Sequence, residues 1–125
     1  MLINGTPCRR GVWESLNQEA KERIDLRFFW AVQMAQVMYQ IPYDFQWKPQ
    51  RIKIEATVYS NERVTPKAFN LTWHLLHCLQ MACIVQDTTE EWVEVDLKVI
   101  RDKGNPRVEL TLETLEDELC GEEKG

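Results

Sequence analysis

The run Thr65 to Asp87, TPKAFNLTWHLLHCLQMACIVQD, constrains this chain more than any other stretch. Thr65 is placed to cap a helix, and Pro66 suits a first helical position, where a missing N–H costs nothing. From Ala68 to Ile84 the sequence is mostly apolar, interrupted by Asn70, Thr72, His74, His77 and Gln80. At helical spacing Ala68, Leu71, Leu75, Leu79 and Ala82 fall on one stripe, and Phe69, Trp73, Leu76 and Cys83 on a second beside it. A helix apolar over most of its girth is buried on more than one side. It is expected to pack on a sheet and to be covered elsewhere too, by a partner chain.

The remaining periodicities supply the sheet. Ser15 with Gln18 reads as a capping box opening a long helix, with Leu16, Ala20, Ile24, Phe28, Ala31, Ala35 and Met38 on its apolar face and Pro42 ending it. Ahead of it, Leu2 and Ile3 begin at most a stub of strand, and Arg9 and Arg10 fall in a loop. Tyr43, Phe45, Trp47 and Pro49 form an aromatic linker expected to drape over the core. Ile52, Ile54, Ala56 and Val58 alternate with polar residues, as in a strand with one wet face. Val93, Val95, Leu97 and Val99 repeat that pattern, and so do Val108, Leu110 and Leu112. The turn cluster from Asp102 to Pro106 makes the last two a predicted hairpin. The expected fold is α+β: two main helices on a mixed or antiparallel sheet of three to four strands.

Charge divides the chain at residue 115. Of the net −5, residues 1–115 hold 14 Lys/Arg against 15 Asp/Glu, and the last ten residues hold five acids and one Lys. Residues 1–115 thus form one nearly neutral domain, and 116–125 an acidic tail expected to be disordered. The four cysteines, Cys8, Cys78, Cys83 and Cys120, include no C-x-x-C pair and are expected as free thiols in a reducing cytoplasm. No apolar run reaches membrane-spanning length.

Composition and spacing reveal no catalytic or cofactor motif. There is no P-loop, no G-x-G-x-x-G, no nucleophile elbow and no H-E-x-x-H. His74 and Cys78 form an i,i+4 pair with no second pair of ligands to complete a metal shell. Glu90, Glu91, Glu94 and Asp96 read as the solvated side of a strand. No cofactor and no metal are expected.

The opening Ile3-Asn4-Gly5-Thr6-Pro7-Cys8-Arg9-Arg10, the order of elements and the final Arg107–Thr114 strand together resemble the RusA family of phage and prophage Holliday-junction endonucleases. The resemblance covers about four-fifths of the chain. In that family an Asp-x-Asp-Asn-x-x-Lys motif at the start of the second helix, with a further acid after it, holds Mg²⁺ for attack of water on a phosphodiester. Here the string reads Lys67-Ala68-Phe69-Asn70-Leu71-Thr72-Trp73, so both aspartates and the lysine are replaced, and only Asn70 and Asp87 remain. One carboxylate leaves a hard cation under-coordinated, and Lys67 places positive charge where the metal would sit. The resemblance therefore implies a catalytically degenerate relative, with no catalytic residues to name. Cleavage would require a different carboxylate set.

Two functions fit that expectation. In one, Arg9, Arg10, Arg63, Lys67 and Trp73 form a surface that binds branched or duplex DNA without cutting it. In the other, an acidic surface (Glu90, Glu91, Glu94, Asp96, Glu109, Glu113 and the tail) binds a host protein, as an inhibitor or accessory factor would. The family acts as dimers, so the resemblance also implies a homodimer, with Phe69, Trp73 and Leu76 of the second apolar stripe at its interface.

Overall fold

The parallel pairing of two strands across a helix fixes the arrangement in the computed structural model, which describes residues 1–41, 51–85 and 92–115. The elements are β1 (Leu2–Ile3), α1 (Arg10–Glu14), α2 (Gln18–Met38), β2 (Arg51–Ser60), α3 (Ala68–Met81), β3 (Val93–Arg101) and β4 (Arg107–Leu115). Chain β2–α3–β3 is a crossover unit: β3 lies parallel to β2, from Ile52 opposite Val93 to Ser60 opposite Arg101. The strand β4 takes the other edge of β2 in antiparallel register, from Arg51 opposite Leu115 to Tyr59 opposite Arg107. With β1 antiparallel to β4, the described strands form one mixed sheet of order β1-β4-β2-β3. The fold is a small α+β domain.

This order overturns the predicted hairpin. Strands β3 and β4 flank β2 instead of pairing, and their connection crosses the end of β2, where Asp102 N–H donates to Ser60 O at 2.9 Å. Asp102 then shapes the turn: its Oδ1 accepts Gly104 N–H at 2.8 Å and its Oδ2 accepts from Arg107 at 3.1 Å. Burial agrees with the order. Central β2 hides Ile52, Ile54, Ala56 and Val58, whereas Val93 is the one buried residue of edge strand β3.

Both long helices lie on the face of the sheet that carries those residues. Helix α3 buries Leu71, Leu75, Cys78 and Leu79, and α2 buries Phe28, Val32 and Ala35. Each large aliphatic side chain so buried stabilises the fold by roughly 1.5–3 kcal/mol. The other face of the sheet remains open and polar, with Lys53, Glu55, Thr57, Glu94, Asp96, Lys98, Glu109, Thr111 and Glu113 along it.

Helix boundaries depart from the sequence reading at several places. Ser15 closes α1 instead of opening α2, its hydroxyl donating to Val12 O at 2.7 Å. Asn17 caps α2, its Oδ1 accepting Ala20 N–H at 2.9 Å, while Gln18 turns to Glu22 and forms no capping box. Helix α3 begins after Lys67, which makes no side-chain cap, so Thr65 does not cap it; the helix ends at Met81, short of Ile84. Arg10, expected in a loop, opens α1. The aromatic linker from Tyr43 to Pro49, Asp87, Glu90, Glu91 and the tail 116–125 lie outside the described residues.

Candidate functional site

The N-terminal segment, α1, α2, the β2–α3 connection and the start of α3 converge at one end of the domain. A cleft of about 370 Å³ opens there, lined by Asn4 to Arg9, Val12, Ile24, Arg27, Phe28 and Ser60 to Glu62. Gly5 carries the chain into it at φ 147°, a conformation that side chains rarely adopt. Arg9 reaches across to Glu62 at 3.5 Å, both about half exposed. An ion pair so open to water contributes little and is readily exchanged.

The five residues singled out from sequence as a nucleic-acid surface occupy this end differently. Arg9 lines the cleft. Arg63 follows Glu62 in the same connection, and Lys67 closes that connection as the residue before α3; both are exposed and have no ion-pair partner among the described residues. Arg10 is turned aside to Glu14, one helical turn on, at 2.9 Å. Trp73 is partly buried edge-on against Trp13, with ring centroids 4.7 Å apart, so its face is not free for stacking. The open aromatic at the start of α3 is Phe69, 77% exposed. Arg27, which the sequence reading passed over, adds a further exposed cation on the cleft wall, and nothing in a helical repeat marks it out.

Of the three residues expected to pair two copies, Phe69 alone is open. Trp73 is taken up by α1, and Leu76 packs against the domain's own core. Within the second stripe of α3, Trp73 and Leu76 are thus covered by the same chain, while Phe69 and Cys83 stay exposed.

Behind the cleft lies a buried polar centre. His74 Nδ1 accepts Cys8 N–H at 2.7 Å, and His74 Nε2 lies 2.8 Å from Asp25 Oδ1. Trp13 Nε1–H donates to the same Asp25 oxygen at 2.9 Å, and His77 Nε2 stands 3.8 Å from the other. Because Nδ1 faces a donor, the ring proton sits on Nε2 and points at the carboxylate. Burial holds His74 below its ordinary pKa, partly opposed by Asp25.

That proton arrangement decides what the centre can do. With one ring nitrogen accepting and the other donating, neutral His74 has no lone pair left for a metal, although Cys78 Sγ lies 3.7 Å from Nε2. Among the described residues no group of three or more His, Cys, Asp or Glu side chains is placed to hold a metal ion. Nor can His74 activate Cys8 as a nucleophile. Its accepting nitrogen is taken by the Cys8 backbone, and burial pushes the Cys8 thiol up, away from thiolate. Burial likewise pushes Cys78 up to about 12. The centre ties the N-terminal segment, α1, α2 and α3 together and fixes the shape of the cleft in front of it.

No protein-family model matches the chain, and no curated protein is detectably similar to it. No helix among the described residues is long and apolar enough to cross a membrane.

Proposed function

We propose that the protein binds nucleic acid through the cleft end, without cutting it, and that it does so as a homodimer. The observation that carries this reading is the cleft lined by Arg9 and Arg27, with Arg63 and Lys67 exposed in the connection that runs on from its Ser60–Glu62 wall; Arg27, Arg63 and Lys67 lack an ion-pair partner among the described residues. Arg9 exchanges Glu62 for a phosphate, and Arg27, Arg63 and Lys67 add further backbone contacts. Phe69 offers an aromatic face at the same end for an unpaired base. Lys67 and Phe69 stand where the RusA-like resemblance would place metal-binding aspartates, which supports binding over hydrolysis.

A titration of the purified protein against a four-way junction, linear duplex and single strand, with and without Mg²⁺, tests this. Binding that leaves every substrate intact supports the reading. Mg²⁺-dependent cleavage, or no binding at low salt, defeats it.

One observation favours a second reading, a protein-interaction factor. Glu55, Glu94, Asp96, Glu109 and Glu113 share the open face of the sheet and outnumber its cations Arg51, Lys53, Lys98 and Arg107. Such a face suits a basic protein surface better than a polyanion. A pull-down in which Glu94→Lys with Glu109→Lys abolishes capture of a partner would favour it.

A further inference from the structure

Helix α2 is apolar on two opposite sides. Its core side is Phe28, Val32 and Ala35. Its solvent side is Leu26, Trp30, Met34, Val37 and Met38, which are 50%, 56%, 65%, 68% and 73% exposed, and Tyr39 follows just past the helix end. From Phe28 to Met38 the helix carries no charge. A helix of that composition is stable in water only when both sides are covered. The open stripe amounts to on the order of 600 Å² of apolar surface, at the upper limit of what monomeric proteins leave bare.

Three features of the stripe point to its occupant. Leu26, Trp30, Met34 and Met38 recur at four-residue steps, the ridge by which helices most often interlock. The row is symmetric about the midpoint between Trp30 and Met34, so an antiparallel copy places Trp30 against the partner's Met34 and Leu26 against the partner's Met38. The two ends also differ in shape. A groove of about 530 Å³, lined by Ala20, Arg23, Ile24, Leu26, Arg27 and Trp30, flanks one end, while Met38 projects at the other. A two-fold axis seats each projection in the opposing groove. Pairing two such stripes, rimmed by Arg23 and Gln33, approaches the roughly 800 Å² per partner of a standard stable interface.

We infer that the Leu26–Met38 stripe of α2 is a self-association surface, on which a second copy of this chain packs α2 against α2 in antiparallel orientation. The inference rests on the homodimer reading above and names the surface responsible. It replaces the α3 stripe, whose Trp73 and Leu76 the chain covers by itself. The cleft lies on the flank of α2 occupied by Ile24, Arg27 and Phe28, so Arg27 borders both surfaces.

The test is sedimentation of the full chain and of three variants, Trp30→Glu, Met34→Lys and Phe69→Glu, at about 100 µM, where an interface of this size is populated. All three positions are exposed, and far-UV circular dichroism checks that each variant is folded; Met34→Lys serves should Trp30→Glu fail to fold. A wild-type dimer that Trp30→Glu and Met34→Lys convert to monomer, and that Phe69→Glu leaves intact, is the expected result. A monomeric wild-type chain would overturn both the surface and the homodimer reading. A dimer that survives Trp30→Glu and Met34→Lys, or that Phe69→Glu breaks, would overturn the surface and leave the homodimer standing.

Discussion

His74 on α3 and Asp25 on α2 are joined at 2.8 Å, Nε2 to Oδ1, with the histidine side chain fully buried and the carboxylate 16% exposed. The pair is the knot of the helical layer, since Asp25 also takes the Trp13 indole and His74 also takes the Cys8 amide. Its consequences are measurable in the folded domain.

The first is a dependence on pH. In the unfolded chain the imidazole takes its proton near pH 6.5; in the folded chain burial defers protonation to lower pH, with Asp25, His77 and Cys78 around the ring. Below about 6.5 the unfolded state therefore binds more protons, so stability rises with pH in that window. The contribution is fully present above pH 6.5 and is lost as pH falls toward the folded value. Thermal unfolding between pH 7.5 and 5.0 should show Tm falling on acidification, and His74→Gln should flatten that fall. An unchanged slope in His74→Gln would refute the assignment.

The two tryptophans packed edge-on should respond unequally to loss of their N–H. Trp13 Nε1 donates to Asp25, whereas Trp73 Nε1 is buried with no hydrogen-bond partner among the described residues. Trp13→Phe should destabilise by about 1.5–3 kcal/mol, the usual worth of a hydrogen bond to a charged group. Trp73→Phe removes an orphaned donor and should cost less than about 1 kcal/mol. Urea unfolding of both variants decides it, and equal losses would contradict the hydrogen-bond map.

Both long helices end on a residue other than glycine in the left-handed region. Gln40 has φ 56° and Cys83 φ 59°, and in each case the next residue donates five positions back, Ile41 to Gln36 O at 2.9 Å and Ile84 to Leu79 O at 3.1 Å. That is the Schellman closure, which favours glycine because a Cβ is strained there. Gln40→Gly and Cys83→Gly should each stabilise the fold by about 1 kcal/mol. A loss of stability in Cys83→Gly would show that the exposed thiol has contacts of its own.

The cysteines should sort by environment. Cys83 is exposed, Cys8 is half-buried with its thiol pushed up by burial, and Cys78 is buried with its thiol raised to about 12. In a Cys120→Ser background at pH 8, a disulfide reagent should label Cys83 fast, Cys8 slowly and Cys78 only on unfolding. Labelling of Cys78 at the rate of Cys83 would refute the packing of α3.

The sequence disclosed those parts of the fold that local periodicity governs. Alternation at Ile52–Val58, Val93–Val99 and Val108–Leu112 located three strands, and the 3.6-residue repeat located α2 and α3. Strand partners depend on contacts distant in sequence, so a turn-rich segment from Asp102 to Pro106 read as a hairpin although it spans β2. Helix ends were obscured where the capping residue was atypical: Asn17 lay two residues beyond a better-looking Ser15, and Gln40 and Cys83 took the place of glycine. At the candidate site, Arg9, Arg63 and Lys67 were legible as cations near a helix start. Asp25 was not, because a single acid on a charged helix turn carries no mark of the histidine and indole that reach it.

The salt dependence of DNA binding tests the central claim most directly. Fluorescence anisotropy with a labelled junction, from 20 to 300 mM salt, should give a log–log slope of about −3 to −4, as expected for three or four phosphates neutralised at roughly 0.9 each. Arg9→Ala, Arg63→Ala and Lys67→Ala together should reduce that slope by about 2 to 3 and leave the fold intact. No binding at the lowest salt, or a slope untouched by the triple substitution, would contradict a nucleic-acid surface at the cleft end.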